Sequence, residues 1–182
     1  MHNQIDSKGW YVNATHLPSP HFDARPDGEV VDLLVIHNIS LPPGKYGSGD
    51  IERLFLGELE ADKHPFYRFI ATARVSAHCL IARDGTVTQF VSFEDRAWHA
   101  GVSAFAGRTR CNDYSIGIEL EGTDLDTFTA AQYQSLAALS QSICAKYPNI
   151  TQNRITGHQF IAPQRKTDPG LCFDWQRYLS ML

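Results

Sequence analysis

The chain has 182 residues, 43% of them hydrophobic, which is enough to bury one core and calls for no second domain. Its 16 Lys+Arg against 20 Asp+Glu leave a net charge of −4 with no block of like charge, which argues against a nucleic-acid footprint. No stretch approaches the roughly 18 consecutive apolar residues of a membrane span, and MHNQIDSKGW carries neither the basic start nor the apolar run of an export signal.

In chain order, residues 1–29 are rich in Pro, His and Asp and are predicted to be an irregular segment laid over a single domain, 1–182. Val30 to Ile36 is nearly continuous in apolar and β-branched residues and predicts a buried strand with His37 at its C-terminal end. After the Pro- and Gly-rich loop LPPGKYGSG, Asp50 is the expected N-cap of a short helix closed by Gly57. An irregular region is expected up to Arg74. The segment HCLIARDGTVTQFVSF predicts a hairpin turning at Asp84-Gly85, with Val87, Val91 and Phe93 on one face. The loop-like RAWHAGVSAFAGRTRCND is long enough to wall a cleft. In SIGIELEG, Ile116, Ile118 and Leu120 alternate with Gly117, Glu119 and Glu121. Thr129 and Gln132 form a capping box for a helix from Ala130 to Tyr147, stopped by Pro148, and Asp174 is placed to cap a final helix. The order of elements predicts an α/β domain with a mixed central β-sheet flanked by helices.

Four cysteines, Cys79, Cys111, Cys144 and Cys172, lack C-x-x-C spacing, which suits reduced thiols in a cytoplasm. Eight histidines offer candidates for a catalytic zinc, which takes three protein ligands and keeps one position open. The compact H-E-x-x-H signature is absent, so any such site must be assembled from distant segments. His37, at a strand end, and the run from His158 to Asp168 are the local candidates. Lys166 and Asp168, two apart in a segment that Pro163 and Pro169 keep from being helical, point to one side if extended. Read alone, His37 is more often a hydrogen-bonded strand-terminal histidine than a ligand, and Lys166 with Asp168 more often a loop salt bridge than an active site. Glu119 and Glu121 face either solvent or a site; about 6–7 Å apart, only one could serve a given metal-bound water. His78 and His99 read as packed or cleft-wall histidines, and Trp98 as core or as a carbohydrate-stacking surface.

Taken together, LLVIHNISLPPG, VSAHCLIARDG, RAWHAGVS, CNDYSIGIELEGTD and TGHQFIAPQRKTDPG, in this order from about Trp10 to Trp175, resemble the cytoplasmic AmpD amidases. These are N-acetylmuramoyl-L-alanine amidases that act on anhydro-muropeptides in cell-wall recycling. The resemblance implies the peptidoglycan-recognition/amidase fold, a zinc ion held by His37, His158 and Asp168, Glu119 as general base, and Lys166 steadying the oxyanion. Two neutral imidazoles and one carboxylate would leave that site near +1, which keeps zinc a good Lewis acid. Asn38, Arg74, Trp98 and Arg110 match positions that would line the sugar and peptide cleft. It further implies a bacterial source, hence a bacterial cytoplasm, and a small muropeptide as partner; the charge pattern and the lack of an apolar span predict no nucleic-acid or membrane partner, and a monomer is the default expectation. Related branches use cysteine as the third ligand, which makes Cys172 a competitor of Asp168. The alternatives are an endolysin-type amidase acting on polymeric peptidoglycan and a binding module without catalysis.

Overall fold

The structure is a computed structural model that describes residues 4–182. In chain order the elements are β1 (Thr15–His16), β2 (Phe22–Ala24), β3 (Leu33–Ile39), α1 (Asp50–Leu56), β4 (Cys79–Ile81), β5 (Val87–Gln89), β6 (Asp95–Ala97), β7 (Ala104–Phe105), β8 (Arg108–Thr109), β9 (Ser115–Glu121), α2 (Ala130–Lys146), β10 (Ile155–Gly157), α3 (His158–Ile161) and α4 (Trp175–Ser180). Six strands form one sheet in the order β1-β5-β4-β9-β3-β10, with β4 and β5 antiparallel and the remaining neighbours parallel. The mixed sheet flanked by helices is the predicted class.

The alternation along β3 and β9 sorts their side chains onto two faces. Leu34, Ile36, Ile116, Ile118 and Leu120 pack against Tyr133, Leu136, Leu139 and Ile143 of α2 and Tyr178 of α4. Burying a residue of this size contributes about 1.5–3 kcal/mol, so this face carries much of the stability. On the other face, Leu33 and Val35 meet Ala100, Cys111, Tyr114 and Ile161. All seven residues of β9 are buried, so Glu119 and Glu121 face a covered surface rather than solvent. β9 pairs with β3 from Leu33↔Ser115 to Ile39↔Glu121, and this register sets His37 directly beside Glu119. On the far side of β3, Ile36 pairs with Gly157, and His158 follows at once. Three adjacent parallel strands therefore end side by side, the place where open α/β sheets form their crevice.

The helix termini follow local chemistry. Thr129 accepts from the Gln132 backbone N–H and Gln132 accepts from that of Thr129, both at 3.0 Å, forming the predicted capping box. The Gln132 amide also donates to the Glu121 carbonyl at 2.8 Å, which docks the start of α2 on the end of β9. Gly85 turns the β4–β5 hairpin at φ 89°, a conformation that side chains disfavour.

Several predicted boundaries shift. The first long strand starts three residues later than expected and continues to Ile39, because pairing with β9 carries it past His37; Val30 is exposed. Residues 4–29 are less irregular than predicted, since β1 extends the main sheet beside β5 and β2 pairs with β6. Gly49, not Asp50, caps α1; the Asp50 carboxylate instead accepts from Tyr67 and pairs with Arg53. Two 3-10 turns, Ala61–Lys63 and Pro65–Phe69, interrupt the irregular region before Arg74. Val91 parts from Val87 and Phe93, because the pairing ends at Gln89 and the chain carries Val91 under α1 with Leu54 and Phe55. Tyr147 is the C-cap of α2 rather than its last turn.

Candidate metal centre and catalytic cleft

Nδ1 of His37 lies 2.9 Å from Nδ1 of His158 and 3.0 Å from Oδ2 of Asp168, and His158 Nδ1 is 3.1 Å from the same oxygen. These three atoms all lie within 4.8 Å of one another. Both imidazoles are buried, at 1% and 2% exposure. His37 comes from the interior of β3 and His158 from the first residue of α3. Asp168 comes from a loop that folds back when its carbonyl accepts from the Gln159 backbone N–H at 2.9 Å.

Burial pulls the His37 imidazole down to about 4, outweighing the contact with the Asp168 carboxylate, which favours its charged form. His37 is therefore neutral near pH 7. Burial works in the opposite direction on Asp168, but the two imidazoles against it prevail and hold its carboxyl well below the usual range. Two imidazole nitrogens beside an ionised carboxylate are a donor set suited to a divalent metal ion. The other ring nitrogens are already engaged. His37 Nε2 lies 2.9 Å from His99 Nδ1, and His158 Nε2 lies 3.1 Å from the Ala100 carbonyl. The two Nδ1 atoms are thus the ones left to face the cluster.

Glu119 sits beside His37 across the strand pair and is 9% exposed. Burial first, then the neighbouring Asp168, push its carboxyl well above the ordinary range, while Lys166 works against them. Its Oε2 is buried and has no hydrogen-bond partner. A buried carboxylate oxygen without a partner is costly and marks a group held for a ligand or a proton. Glu121, two residues on, is fully occupied: it accepts from the backbone N–H groups of Gly47 and Arg83 at 2.6 and 3.2 Å, and so pins two loops.

A cavity of about 200 Å³ is lined by His37, Asn38, Trp98, His99, Glu119, His158, Lys166 and Asp168 together with apolar groups of α1. It meets a broader groove of about 860 Å³ at Asn38, Lys166 and Asp168. Seven of the nine sequence-predicted residues therefore line the smaller cavity. Asn38 donates to Asp124 at 2.7 Å and to the Pro169 carbonyl at 3.0 Å, which fastens β3 to the loop carrying Asp168. The Trp98 indole N–H donates to Asp23 at 3.0 Å, and its ring is stacked with His21. Arg74 lies outside the cavity lining, with its guanidinium 5.4 Å from the centre of the Trp98 ring. Arg110 lines neither space; it is exposed, has a positive φ of 61° and pairs with Asp113 at 3.0 Å. Cys172 stays outside the ligand cluster, with its backbone N–H donating to Asp124.

Sequence reasoning treated His99 as a wall residue and missed its contact with His37, which is 62 positions away. One signal was present: a glycine inside the otherwise apolar and acidic strand SIGIELE, a pattern that marks close approach. A Cβ on Gly117 would lie 2.4 Å from His99 Cγ.

A family model described as N-acetylmuramoyl-L-alanine amidase matches residues 25–171. The chain is 58% identical over 178 residues to the 1,6-anhydro-N-acetylmuramyl-L-alanine amidase AmpD of Salmonella typhimurium (strain SL1344), covering 98% of this chain and 95% of that one. A crystal structure of a selenomethionine AmpD derivative superposes with a TM-score of 0.95 at 56% identity, covering 98% of both chains. The amidase AmiD from E. coli, in complex with the substrate anhydro-N-acetylmuramic acid-L-Ala-D-gamma-Glu-L-Lys, matches at TM-score 0.62 and 28% identity, covering 100% of this chain and 66% of that one. A match across residues 25–171, with 58% identity over nearly the full length of a relative, establishes that this chain belongs to the N-acetylmuramoyl-L-alanine amidase family.

Proposed function

We propose that the chain is a zinc-dependent hydrolase of the amide between the lactyl group of 1,6-anhydro-N-acetylmuramic acid and the L-alanine of its stem peptide. The observation that carries this reading is the pairing, in one cavity, of a buried two-histidine, one-carboxylate cluster with a buried glutamate oxygen that has no partner. The high identity to relatives named for this substrate supports its identity.

In this reading His37, His158 and Asp168 would hold the ion. When bound, zinc would supply Lewis acidity, polarising the scissile carbonyl and making a nucleophile available from water near neutral pH. Glu119 takes the proton from the attacking water on its free oxygen and passes it to the departing alanine nitrogen. With a divalent cation held there, the Asp168 charge would be offset and the Glu119 carboxyl would return toward its ionised form. Lys166 turns its ammonium toward the oxygen that gains negative charge in the tetrahedral state, a contribution of about 3–4 kcal/mol for one well-placed donor. Asn38 and Trp98 orient the substrate along the cavity, and the broad groove past Lys166 receives the remainder of the muropeptide. Arg74, over the Trp98 ring, and the exposed Arg110 are the cationic groups assigned to the peptide carboxylates.

Four free cysteines, two of them buried, support a reducing cytoplasmic setting. Among the described residues, no helix is long and apolar enough to cross a membrane. We read the enzyme as a monomer whose partner is the small muropeptide itself. A module that only bound peptidoglycan would gain nothing from keeping the Glu119 oxygen buried and unpaired.

The test is release of L-alanyl peptide from purified anhydro-muropeptide by native protein, by chelated protein and after zinc is restored. Cleavage that stops with chelator and returns with zinc is expected. Intact, zinc-loaded protein that leaves the amide uncut would overturn the assignment.

A further inference from the structure

The two imidazoles of the cluster differ in what stands behind them. His158 Nε2 faces the Ala100 carbonyl, which can only accept, so its proton is on Nε2 and its Nδ1 is bare. His37 Nε2 faces no such fixed acceptor. Its neighbour is Nδ1 of His99 at 2.9 Å, and an imidazole nitrogen can either donate or accept. Which tautomer His99 adopts therefore decides which nitrogen of His37 carries the proton. If His99 donated from Nδ1, the His37 proton would sit on Nδ1 and block the lone pair that faces the cluster.

The surroundings of His99 favour the other tautomer. Its ring is half-buried, lies against the bare backbone of Gly117, and its Nε2 is 3.1 Å from Ser115 Oγ, which can accept a hydrogen bond at that end. The backbone behind it is clipped in place: Asn112 Oδ1 accepts from the N–H groups of both His99 and Ala100, at 3.2 and 2.7 Å. One side-chain oxygen thus secures the two consecutive residues that back the two imidazoles.

We propose that His99 is a positioning residue of the metal centre: its Nδ1 accepts a hydrogen bond from His37 Nε2–H, its own Nε2–H donates to Ser115 Oγ, and His37 Nδ1 is thereby kept bare for the ion. Gly117 is the space that lets it do so. The inference rests on the metal reading proposed above and adds a residue outside the ligand set.

Nitrogen-15 NMR of the imidazoles in zinc-loaded wild-type protein tests it without any substitution. The expected result is His99 protonated on Nε2 with a bare Nδ1; a proton on His99 Nδ1 while zinc is bound would overturn the inference and leave the metal reading standing. Wild-type protein that takes up no zinc at the His37 cluster would overturn both. A second measurement is zinc affinity by competition with a chromophoric chelator. His99→Phe keeps the ring but removes the acceptor and is expected to weaken zinc binding about 10–100-fold, the usual effect of losing such a backing group. His99→Asn, whose carboxamide oxygen can occupy the place of Nδ1, is expected to recover most of that loss. Phe within twofold of wild type, or Asn no better than Phe, would count against the role.

Discussion

The cleft is built from two unlike halves. His37 and Glu119 stand on adjacent, fully hydrogen-bonded strands, in a register that leaves them no freedom to separate. Lys166 and Asp168 stand on a loop held by a few discrete bonds: the Ala162 carbonyl accepting from Arg165 and Lys166, the Gln159–Asp168 link, Asn38 to the Pro169 carbonyl, and Arg165 reaching the carbonyls of Ala100 and Val102. The sheet half contributes groups whose protonation must be controlled by burial, and burial requires a rigid, dry site. The loop half contributes charge at the rim, where substrate must enter and leave. Precision and access are divided between the two, and Asn38 is the joint.

The largest expected effect breaks the sheet half without touching the ion. Glu119→Gln should lower turnover about 10²–10⁴-fold while zinc content stays at wild-type level, measured by peptide release and metal analysis on the same sample. Loss of zinc together with activity would show that Glu119 belongs to the ligand set. On the loop half, Lys166→Met should lower kcat about 10²–10³-fold with KM little changed. An increase in KM alone would recast Lys166 as a binding group.

The joint itself is tested by Asn38→Leu, which removes both donations that fasten β3 to the loop. Faster amide exchange across residues 165–170 is expected, with turnover reduced up to about 10²-fold through misplacement of Asp168 and Lys166. Unchanged exchange would mean that Arg165 and Gln159 are sufficient to hold the loop.

The smallest effect concerns stability and belongs wholly to the sheet half. Burial, then the nearby Arg25 charge, push His78 well below its ordinary 6.5. Below pH 6.5 the unfolded chain therefore binds a proton that the fold refuses, and stability falls as pH falls, by up to about 1.4 kcal/mol per pH unit for one such group. Urea unfolding of zinc-free protein between pH 7 and 5 should show this slope, in which the depressed His37 adds with the same sign. His78→Asn, which can still accept from the Gly117 N–H that His78 Nδ1 holds at 3.0 Å, should flatten it. An unchanged slope would mean that His78 is protonated inside the fold.

Much of the sheet was legible because its signals are local and repeated. The strict alternation of SIGIELE, the Asp84-Gly85 turn and the Thr129–Gln132 box each depend on neighbours within a few residues, and each appears where expected. The end of the first long strand was misjudged because His37 and Asn38 look like a departure from the apolar run. They belong to β3 because β9 offers hydrogen bonds as far as Glu121, and a polar side chain costs nothing there when a cluster receives it. Asp50 was misassigned for a similar reason: its carboxylate found Tyr67 and Arg53 in place of the helix N-terminus.

The amino-acid sequence by itself determined the α/β class, the faces of β9 and the membership of His37, His158 and Asp168 in motifs of one family. What only the tertiary structure decided is how those groups face one another. The convergence of nitrogen, nitrogen and oxygen within 4.8 Å comes from segments as far as 131 residues apart. So does the contact that makes His99 the partner of His37. Such contacts obey no periodicity along the chain, because they arise when strand register, loop closure and burial act together, and the burial that tunes Glu119 and His37 exists only once the sheet is covered.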